Sequence, residues 1–368
     1  MRILYDHQVF SLQDAGGASR YYYELLRYLA GVPDVEAELL LGSSGSLYPL
    51  RNLASERVIV TSLAGSLPPG IRRFLVNEAF GNSVAPFRGK MDVYHPTLYR
   101  CMPLVRARRI VVTHHDCVHE RFPQLFPDVG KVLRAKKRLY AQADAIICVS
   151  QSSRKDLLGF YNIDAAKTRV IYHGIAPLPR DPAAAGKLRR QPRREYLLYV
   201  GSRASYKNFA GLLQAFRESG LQDSLDLLVF GGGPLTTAET ALIAELGLSN
   251  CVSSIREASD ELLREAYAGA KLFVYPSLCE GFGFPPLEAM AAGCPVLASN
   301  TSAIPEVCRD APFYFDPLDR NSLVRGLLRA VNDEEARRKA VARGAQVIAG
   351  YSWTKCGQET LALYRECQ

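Results

Sequence analysis

The chain has 368 residues, of which 48% are hydrophobic and 22% charged, a balance typical of a soluble globular protein long enough for two domains. Its apolar runs fall short of the roughly 20 residues that a membrane-spanning helix needs, and the charges of Arg2 and Asp6 argue against a signal peptide. We therefore expect a cytoplasmic protein. The nine cysteines form no C-x-x-C pair, and their odd number favours free thiols.

The net charge of +8 is unevenly distributed along the chain. Residues 1–180 hold 24 Lys and Arg against 15 Asp and Glu, whereas residues 181–368 hold 21 against 22. A basic first half can face nucleic acid, an anionic membrane or a phosphorylated ligand, and the sign of the charge alone does not choose among them.

The first half alternates strand and helix patterns. A strand at 2–5 is followed by a glycine loop and a helix at 20–29, and a second helix is predicted at 132–143. Apolar runs typical of buried strands lie at 36–41, 57–61, 93–95, 110–113 and 145–149. This alternation predicts a parallel sheet covered by helices on both faces.

Residues 177–194 carry four prolines and six basic residues without periodicity, so we predict a surface linker between a first domain at 1–176 and a second at 195–350. The second domain repeats the alternation. Its predicted strands are 196–200, 225–230, 272–275 and 296–298, and its predicted helices are 209–218, 237–246 and 287–292. In two such doubly wound domains, ligands bind at the carboxyl ends of the strands, and domains that face each other form a cleft there.

The sharpest motif is EGFGFPPLEAMAAG at 280–293, which follows a predicted strand and opens a predicted helix. Glycines before a helix leave backbone N–H groups exposed, and the helix dipole favours an anion there, as in a diphosphate site. Glu280 precedes the loop, and Glu288 is expected in the first turn, where carboxylates can accept hydrogen bonds from sugar hydroxyls. The alternative is an ordinary capped helix with an incidental acid.

Six motifs together resemble the family 4 retaining glycosyltransferases. Residues 280–299 resemble the family's E-x7-E signature, and the other five motifs occur in the family's order. These five are Gly16-Gly17 with Arg20-Tyr21, T-x-H-D at 113–116, ADAIICVS at 143–150, Gly201–Arg203 with Tyr206–Asn208, and Ser352-Trp353. The resemblance implies the GT-B architecture, in which two Rossmann-like domains face each other across a cleft and a final helix, here 351–368, crosses back to the first domain.

The resemblance also implies site residues. The catalytic residues would be Glu280, which holds the sugar, His115, which reaches it from the first domain, and the cations Arg203 and Lys207, which stabilise the departing diphosphate. Arg203 lies four positions before Lys207, a spacing that departs from many relatives. The donor-binding residues would be Gly16, Gly17, Gly281, Phe282, Gly283, Phe284, Glu288 and Arg256.

We expect neither a metal nor a cofactor. His114, His115, Asp116 and His119 could suggest a metal site, but a strand end would point His114 and His115 to opposite faces. A nicotinamide-linked oxidoreductase is disfavoured because the G-x-G-x-x-G fingerprint is missing: Gly231–Gly233 is followed by Pro234 and is expected to form a tight turn. A non-catalytic nucleotide-sugar binding protein on the same fold remains an alternative.

The resemblance is greatest to the mannosyltransferase-like branch of bacterial polysaccharide synthesis, which implies GDP-mannose or a related donor and a glycan or lipid-linked acceptor.

Ten basic and three acidic residues lie between 100 and 140, with Lys131, Arg134, Lys137 and Arg138 on one helix face. This face is either simply solvated or docks on the anionic inner leaflet of the membrane. Nucleic acid is not expected, since no aromatic residues are interleaved with the basic ones.

Overall fold

The computed structural model describes residues 1–63, 65, 67–99, 107–176, 194–255 and 259–367. The chain forms two compact units, one made of Met1–Gly174 with Ser352–Gln368 and the other of Ile175–Tyr351. The predicted linker lies outside the described residues except for Arg194, and so does the predicted donor-binding residue Arg256.

The first unit contains a parallel sheet with seven strands in its described part, in the order β3-β2-β1-β4-β5-β6-β7. These strands are β1 (Arg2–Tyr5), β2 (Glu36–Gly42), β3 (Val58–Ser62), β4 (Met91–His95), β5 (Ala107–His114), β6 (Ala145–Cys148) and β7 (Thr168–Val170). Its helices are α1 (Gln8–Leu12), α2 (Gly17–Leu29), α3 (Ile71–Val84), α4 (Val118–Arg121), α5 (Val129–Gln142) and α6 (Gln151–Phe160).

The second unit contains a parallel sheet with six described strands in the order β10-β9-β8-β11-β12-β13. These strands are β8 (Tyr196–Val200), β9 (Asp226–Phe230), β10 (Val252–Ile255), β11 (Leu272–Tyr275), β12 (Val296–Ser299) and β13 (Phe313–Phe315). Its helices are α7 (Phe209–Glu218), α8 (Thr237–Glu245), α9 (Asp260–Gly269), α10 (Phe284–Ala291), α11 (Ile304–Cys308), α12 (Arg320–Asn332) and α13 (Glu334–Ile348). The last helix, α14 (Trp353–Glu366), belongs to the first unit.

The predicted α/β fold with two doubly wound parallel sheets is confirmed. Strands β1, β8 and β11 and helix α7 have the predicted bounds, and most other predicted elements differ by one to three residues at an end. The sequence pattern does not predict helix α3, because Ile71, Leu75 and Val76 lie on its exposed side and blur the amphipathic pattern. Eight of the nine cysteines lie in the described residues, and all eight are free thiols.

Helix α14 is joined to the core of the first unit by buried polar side chains. Tyr364 in α14 lies 2.5 Å from His95 Nδ1 and 2.8 Å from the hydroxyl of Tyr5, and His95 Nε2 lies 2.8 Å from Thr113 Oγ1. Burial lowers the pKa of His95 to about 3, so the ring is neutral at physiological pH. The hydrogen bonds therefore need no buried charge.

Lys136 in α5 is a buried cation of the first unit. Its side chain is fully buried, and its ammonium donates to both carboxylate oxygens of Glu120, at 3.0 and 3.1 Å, and to the carbonyl of Asp116 at 3.0 Å. Tyr161 donates its hydroxyl to the same carboxylate at 2.5 Å. One of the ten basic residues between 100 and 140 is therefore internal and does not contribute to the basic surface.

In the described part of the chain, no helix combines the length and the apolar character needed to cross a bilayer.

We predict that Lys136→Met lowers the free energy of unfolding by about 3–5 kcal/mol, because it leaves the buried Glu120 carboxylate without its counter-ion. Lys137→Met is the matched control: it removes the next, exposed ammonium of the same helix and should change stability by less than about 0.5 kcal/mol. Urea titration measures both. Equal stability of the two variants would contradict the assigned role of Lys136.

We also predict that the first unit loses stability as the pH falls below 6.5. Burial lowers the pKa of His95 and of His114 to about 3, whereas an unfolded histidine titrates near 6.5. Between these pH values the unfolded chain binds protons that the folded rings do not bind. This difference lowers the free energy of unfolding by about 1.4 kcal/mol per pH unit for each ring. Urea titrations at pH 6 and pH 5 measure the decline in the free energy of unfolding. The decline should be smaller in His114→Gln than in the wild type, by the contribution of one ring. An imidazolium NMR signal from either ring in the folded protein at pH 5 would overturn this.

Candidate active site

The strand order of the second sheet reverses between β8 and β11, which are neighbours in the sheet although they are far apart in sequence. In doubly wound sheets, ligands bind outside the carboxyl ends of the strands at such a reversal. Two predicted catalytic residues follow these strands. Lys207 ends a short turn of 3-10 helix after β8, and Glu280 lies in the loop after β11.

Lys207 and Glu280 form an ion pair. The ammonium lies 2.5 Å from Glu280 Oε1, and the two side chains are only 17% and 12% exposed. A second contact joins the two loops, since the backbone N–H of Leu278 donates to the carbonyl of Tyr206 at 2.8 Å. The structure therefore brings together a cation and a carboxylate that are 73 residues apart in sequence.

Neighbouring groups fix Glu280 and Lys207 further. The backbone N–H of Glu280 donates to Ser302 Oγ at 2.8 Å, and the Lys207 ammonium lies 5.7 Å from the centre of the Tyr275 ring. Burial raises the pKa of Tyr275 well above its usual value, and the adjacent Glu280 carboxylate raises it further. Tyr275 therefore stays a neutral phenol beside the ion pair.

Helix α10 begins directly after this loop. Gly283 precedes it with a φ of 97°, and a Cβ at this position would lie 2.7 Å from Ile304 Cδ1, so only glycine fits without strain. Among the described residues no side chain caps the helix, and because Pro285 and Pro286 carry no N–H, an anion at this N-terminus can bind only through the remaining backbone N–H groups, such as that of Phe284. The predicted donor-binding residues Gly281, Phe282 and Phe284 lie in the same short segment.

The position of Glu288 differs from the prediction. Because prolines fit into a first helical turn, where their missing N–H needs no partner, α10 already begins at Phe284. Glu288 consequently begins the second turn instead of lying in the first. Its side chain is buried and accepts a hydrogen bond from the Tyr267 hydroxyl at 3.3 Å.

Arg203 is directed away from the ion pair, into the turn after β9. Its Nε donates to Glu239 Oε1 at 2.8 Å, and its two Nη atoms donate to the carbonyls of Gly231 at 2.9 Å and Pro234 at 2.7 Å. The side chain is 3% exposed. Arg203 thus supports the glycine turn, and its predicted contact with a diphosphate stays a prediction.

The tight turn predicted at Gly231–Gly233 is confirmed. The three residues have φ values of 78°, 71° and 76°, and a Cβ on Gly232 would lie 2.6 Å from the Gly201 carbonyl. The turn therefore allows the ends of β8 and β9 to approach closely.

In the first unit, Gly16 caps α2 and Gly17 is its first residue, and no side chain in the described part of the chain caps this helix. The loop before them is held by Asp14, whose carboxylate lies 2.6 Å from Nη1 of the fully buried Arg73. Arg73 also donates to the carbonyl of Phe10 at 3.0 Å. The glycines are thus attached to α3 by a partly buried ion pair, which sequence analysis missed because the two residues are far apart in the chain.

His114 and His115 point to opposite sides of the sheet, as predicted. His114 Nδ1 lies 2.7 Å from the Tyr140 hydroxyl in α5, whereas the His115 ring lies 6.0 Å from the Tyr21 ring in α2. Burial lowers the pKa of His115 to about 4 despite the adjacent Asp116, so His115 is neutral at physiological pH. Its buried Nε2 has no hydrogen-bond partner among the residues that the structure describes, which leaves one hydrogen-bonding atom available.

Asp6 is a second residue that the sequence analysis missed. It follows β1, next to the point where the first sheet also reverses its order, and it is 2% exposed. Its carboxylate accepts hydrogen bonds from the Tyr94 hydroxyl at 2.6 Å, the Thr97 hydroxyl at 2.6 Å and Gln8 Nε2 at 2.6 Å. Asp6 therefore locks the loops after β1 and β4 together. Asp6 could have been found from the sequence as an acidic residue directly after a buried strand.

Within the described residues, no group of three or more His, Cys, Asp and Glu side chains is arranged to hold a metal ion.

Comparison with known families gives two matches, one for each half of the chain. Residues 15–177 match the model described as Glycosyltransferase Family 4, and residues 182–347 match the model described as Glycosyl transferases group 1. The boundary between the two matches falls inside the predicted linker.

Individual relatives extend over the whole chain. The O-antigen chain mannosyltransferase B of Escherichia coli is 30% identical over 95% of this chain and 96% of its own length. Two solved structures are similar in fold. Sucrose-phosphate synthase from Thermosynechococcus elongatus is 21% identical, with a TM-score of 0.77 and coverage of 99% of this chain and 98% of that one. Anabaena HepE in complex with UDP and glucose is 19% identical, with a TM-score of 0.76 and full coverage of both chains. The predicted GT-B architecture is thereby confirmed, and the chain belongs to the family 4 glycosyltransferases, in their mannosyltransferase-like branch.

Proposed function

We propose that this glycosyltransferase moves a hexose from a nucleotide-sugar donor, with GDP-mannose as first candidate, to a glycan or lipid-linked acceptor in surface polysaccharide synthesis. The E. coli relative, an O-antigen chain mannosyltransferase, supports the mannose and the polysaccharide. The Anabaena protein, whose structure contains UDP and glucose, supports a nucleotide sugar as the donor class.

The observation that carries the proposal is the Lys207–Glu280 ion pair beside the uncapped N-terminus of α10. When the bond between the sugar and the diphosphate breaks, negative charge grows on the diphosphate. The Lys207 ammonium and the α10 backbone N–H groups are fixed positive groups that can stabilise this charge more in the transition state than in the ground state. Glu280 accepts hydrogen bonds from the sugar hydroxyls and keeps the ammonium in place.

We propose a retaining reaction without a side-chain nucleophile. The acceptor hydroxyl attacks the anomeric carbon on the face from which the diphosphate departs, and the leaving phosphate oxygen takes the hydroxyl proton. Glu280 Oε1 is already bound to Lys207, which suits a binding carboxylate better than a free nucleophile.

The other site residues stay predictions. Glu288 is proposed to bind the ribose, Gly16 and Gly17 the diphosphate, and neutral His115 the transferred sugar. Arg203 is engaged with the glycine turn, so Lys207 is the cation on which the proposed mechanism rests.

We further propose that the enzyme associates reversibly with an anionic membrane surface, which would bring it to a lipid-linked acceptor. Lys131, Arg134, Lys137 and Arg138 are all exposed on α5, as the sequence predicted. Each basic residue near such a surface contributes about 1 kcal/mol of attraction.

We predict that Glu280→Gln and Lys207→Met each lower turnover at least about a hundredfold, the usual effect of removing a preorganised charge from a developing anion. The matched controls are Glu195→Gln and Lys271→Met, which break another ion pair of the same unit, 2.6 Å long, outside the proposed site. Donor hydrolysis and transfer are measured on folded variants. Near-normal turnover of a folded Glu280 or Lys207 variant would remove that residue from the mechanism.

We predict that transfer requires no divalent metal, because Lys207 and the α10 N-terminus supply the positive charge that a metal would otherwise provide. Turnover after EDTA treatment and desalting should equal that of the untreated enzyme. If activity disappears and returns with magnesium or manganese, the charge compensation has been assigned to the wrong groups.

A further inference from the structure

One face of the first unit carries an unusual outer layer. Leu4, Tyr94 and Ile110 are in-register neighbours on β1, β4 and β5 and therefore point to the same side of the sheet. The cores on this side include residues at the end of α3 and in α5 and α6. These three helices thus form a single layer over one face of the sheet.

This layer exposes both apolar and basic side chains. Among the described residues, seven large apolar side chains are exposed, and five of them belong to the layer or to the turn after α3. These five are Ile71, Leu75, Val76, Phe87 and Phe160. The same layer also exposes the four basic residues of α5, and apolar and basic side chains together are typical of a surface that meets an anionic membrane.

A groove of about 760 Å³ lies within this layer, between α5 and the segment 160–167. Leu133, Lys137 and Tyr140 are spaced so that they share one side of α5 and line the groove. Phe160 and Ile163 line the opposite wall, so that an apolar body of moderate size can lie between the two walls.

The charge of the groove favours an anion. Arg134 and Lys137 line it, both are exposed, and in the described part of the chain no carboxylate pairs with either. The Glu120 carboxylate in the lining is already compensated by Lys136. Asp164 is the remaining acid of the lining, and its Oδ1 accepts a hydrogen bond from the backbone of Ala166.

We propose that this groove binds one molecule of an anionic membrane lipid, an inference that rests on the proposed membrane association. The phosphate contacts Arg134 and Lys137, and the first part of the hydrocarbon chain lies against Tyr140, Phe160 and Ile163. A soluble phosphate would leave these apolar walls in water, whereas a zwitterionic lipid would place a second cation beside the two basic residues. An anionic amphiphile satisfies both features of the groove.

The test uses the full-length protein and dihexanoylphosphatidylglycerol below its micelle concentration, titrated by calorimetry. Binding should be saturable, and the double variant Arg134→Gln, Lys137→Gln should lower the affinity at least about tenfold. The matched control is Lys131→Gln, Arg138→Gln, which removes the same charge from the same helix outside the groove and should bind the short lipid normally. Phe160→Ala should weaken binding as well.

Vesicle co-sedimentation separates the groove from general attraction to the surface. Both double variants should reduce binding to phosphatidylglycerol vesicles, and binding should fade as salt rises. The lipid proposal is overturned if the short lipid does not saturate, if the two double variants weaken its binding equally, or if dihexanoylphosphatidylcholine or inorganic phosphate binds as well. Donor hydrolysis should be unchanged in all variants. If the wild-type enzyme does not hydrolyse the donor, the proposed reaction is refuted, but the lipid-binding result is unaffected.

Discussion

The contact between Lys207 and Glu280 is the interaction on which the proposed site depends. It exists because β8 and β11, distant in sequence, lie side by side where the strand order reverses, so that the loops after them meet. The same loops are joined by a backbone hydrogen bond, and α10 begins directly beyond Glu280. A cation, a carboxylate and a helix N-terminus are thereby held on rigid elements, which is the preorganisation that stabilising a developing anion requires.

The first unit fixes its loops at the equivalent edge of its own sheet by different means. Asp6 joins the loops after β1 and β4 through buried hydrogen bonds, Arg73 holds Asp14 ahead of the glycines, and Lys136 holds the carbonyl of Asp116 beside His115. Each of these contacts includes a buried polar group that would be left unpaired without it, so each constrains a loop more firmly than a surface contact could. The family's motif residues lie on loops that these contacts support.

The sequence predicted most of the described strands, since strands buried on both faces, such as those at 196–200 and 272–275, read as continuous apolar runs, but it did not predict β7, β10 and β13. It also predicted that Lys207 and Glu280 follow strand ends, where the structure has them. It could not distinguish Lys136 from Lys137, which are adjacent lysines with opposite burial, because the partner Glu120 lies in another element. For the same reason it could not show that Arg203 points toward Glu239 instead of Glu280: direction is set by tertiary neighbours.

In the proposed reaction, the diphosphate of the donor binds between Lys207 and the N-terminus of α10. A crystal structure of the wild-type enzyme with a bound nucleoside diphosphate tests it directly, using GDP first and UDP second. Terminal phosphate oxygens should lie within hydrogen-bonding distance of Lys207 Nζ and of backbone N–H groups at the start of α10. A diphosphate bound elsewhere, with Lys207 still paired only to Glu280, would contradict it.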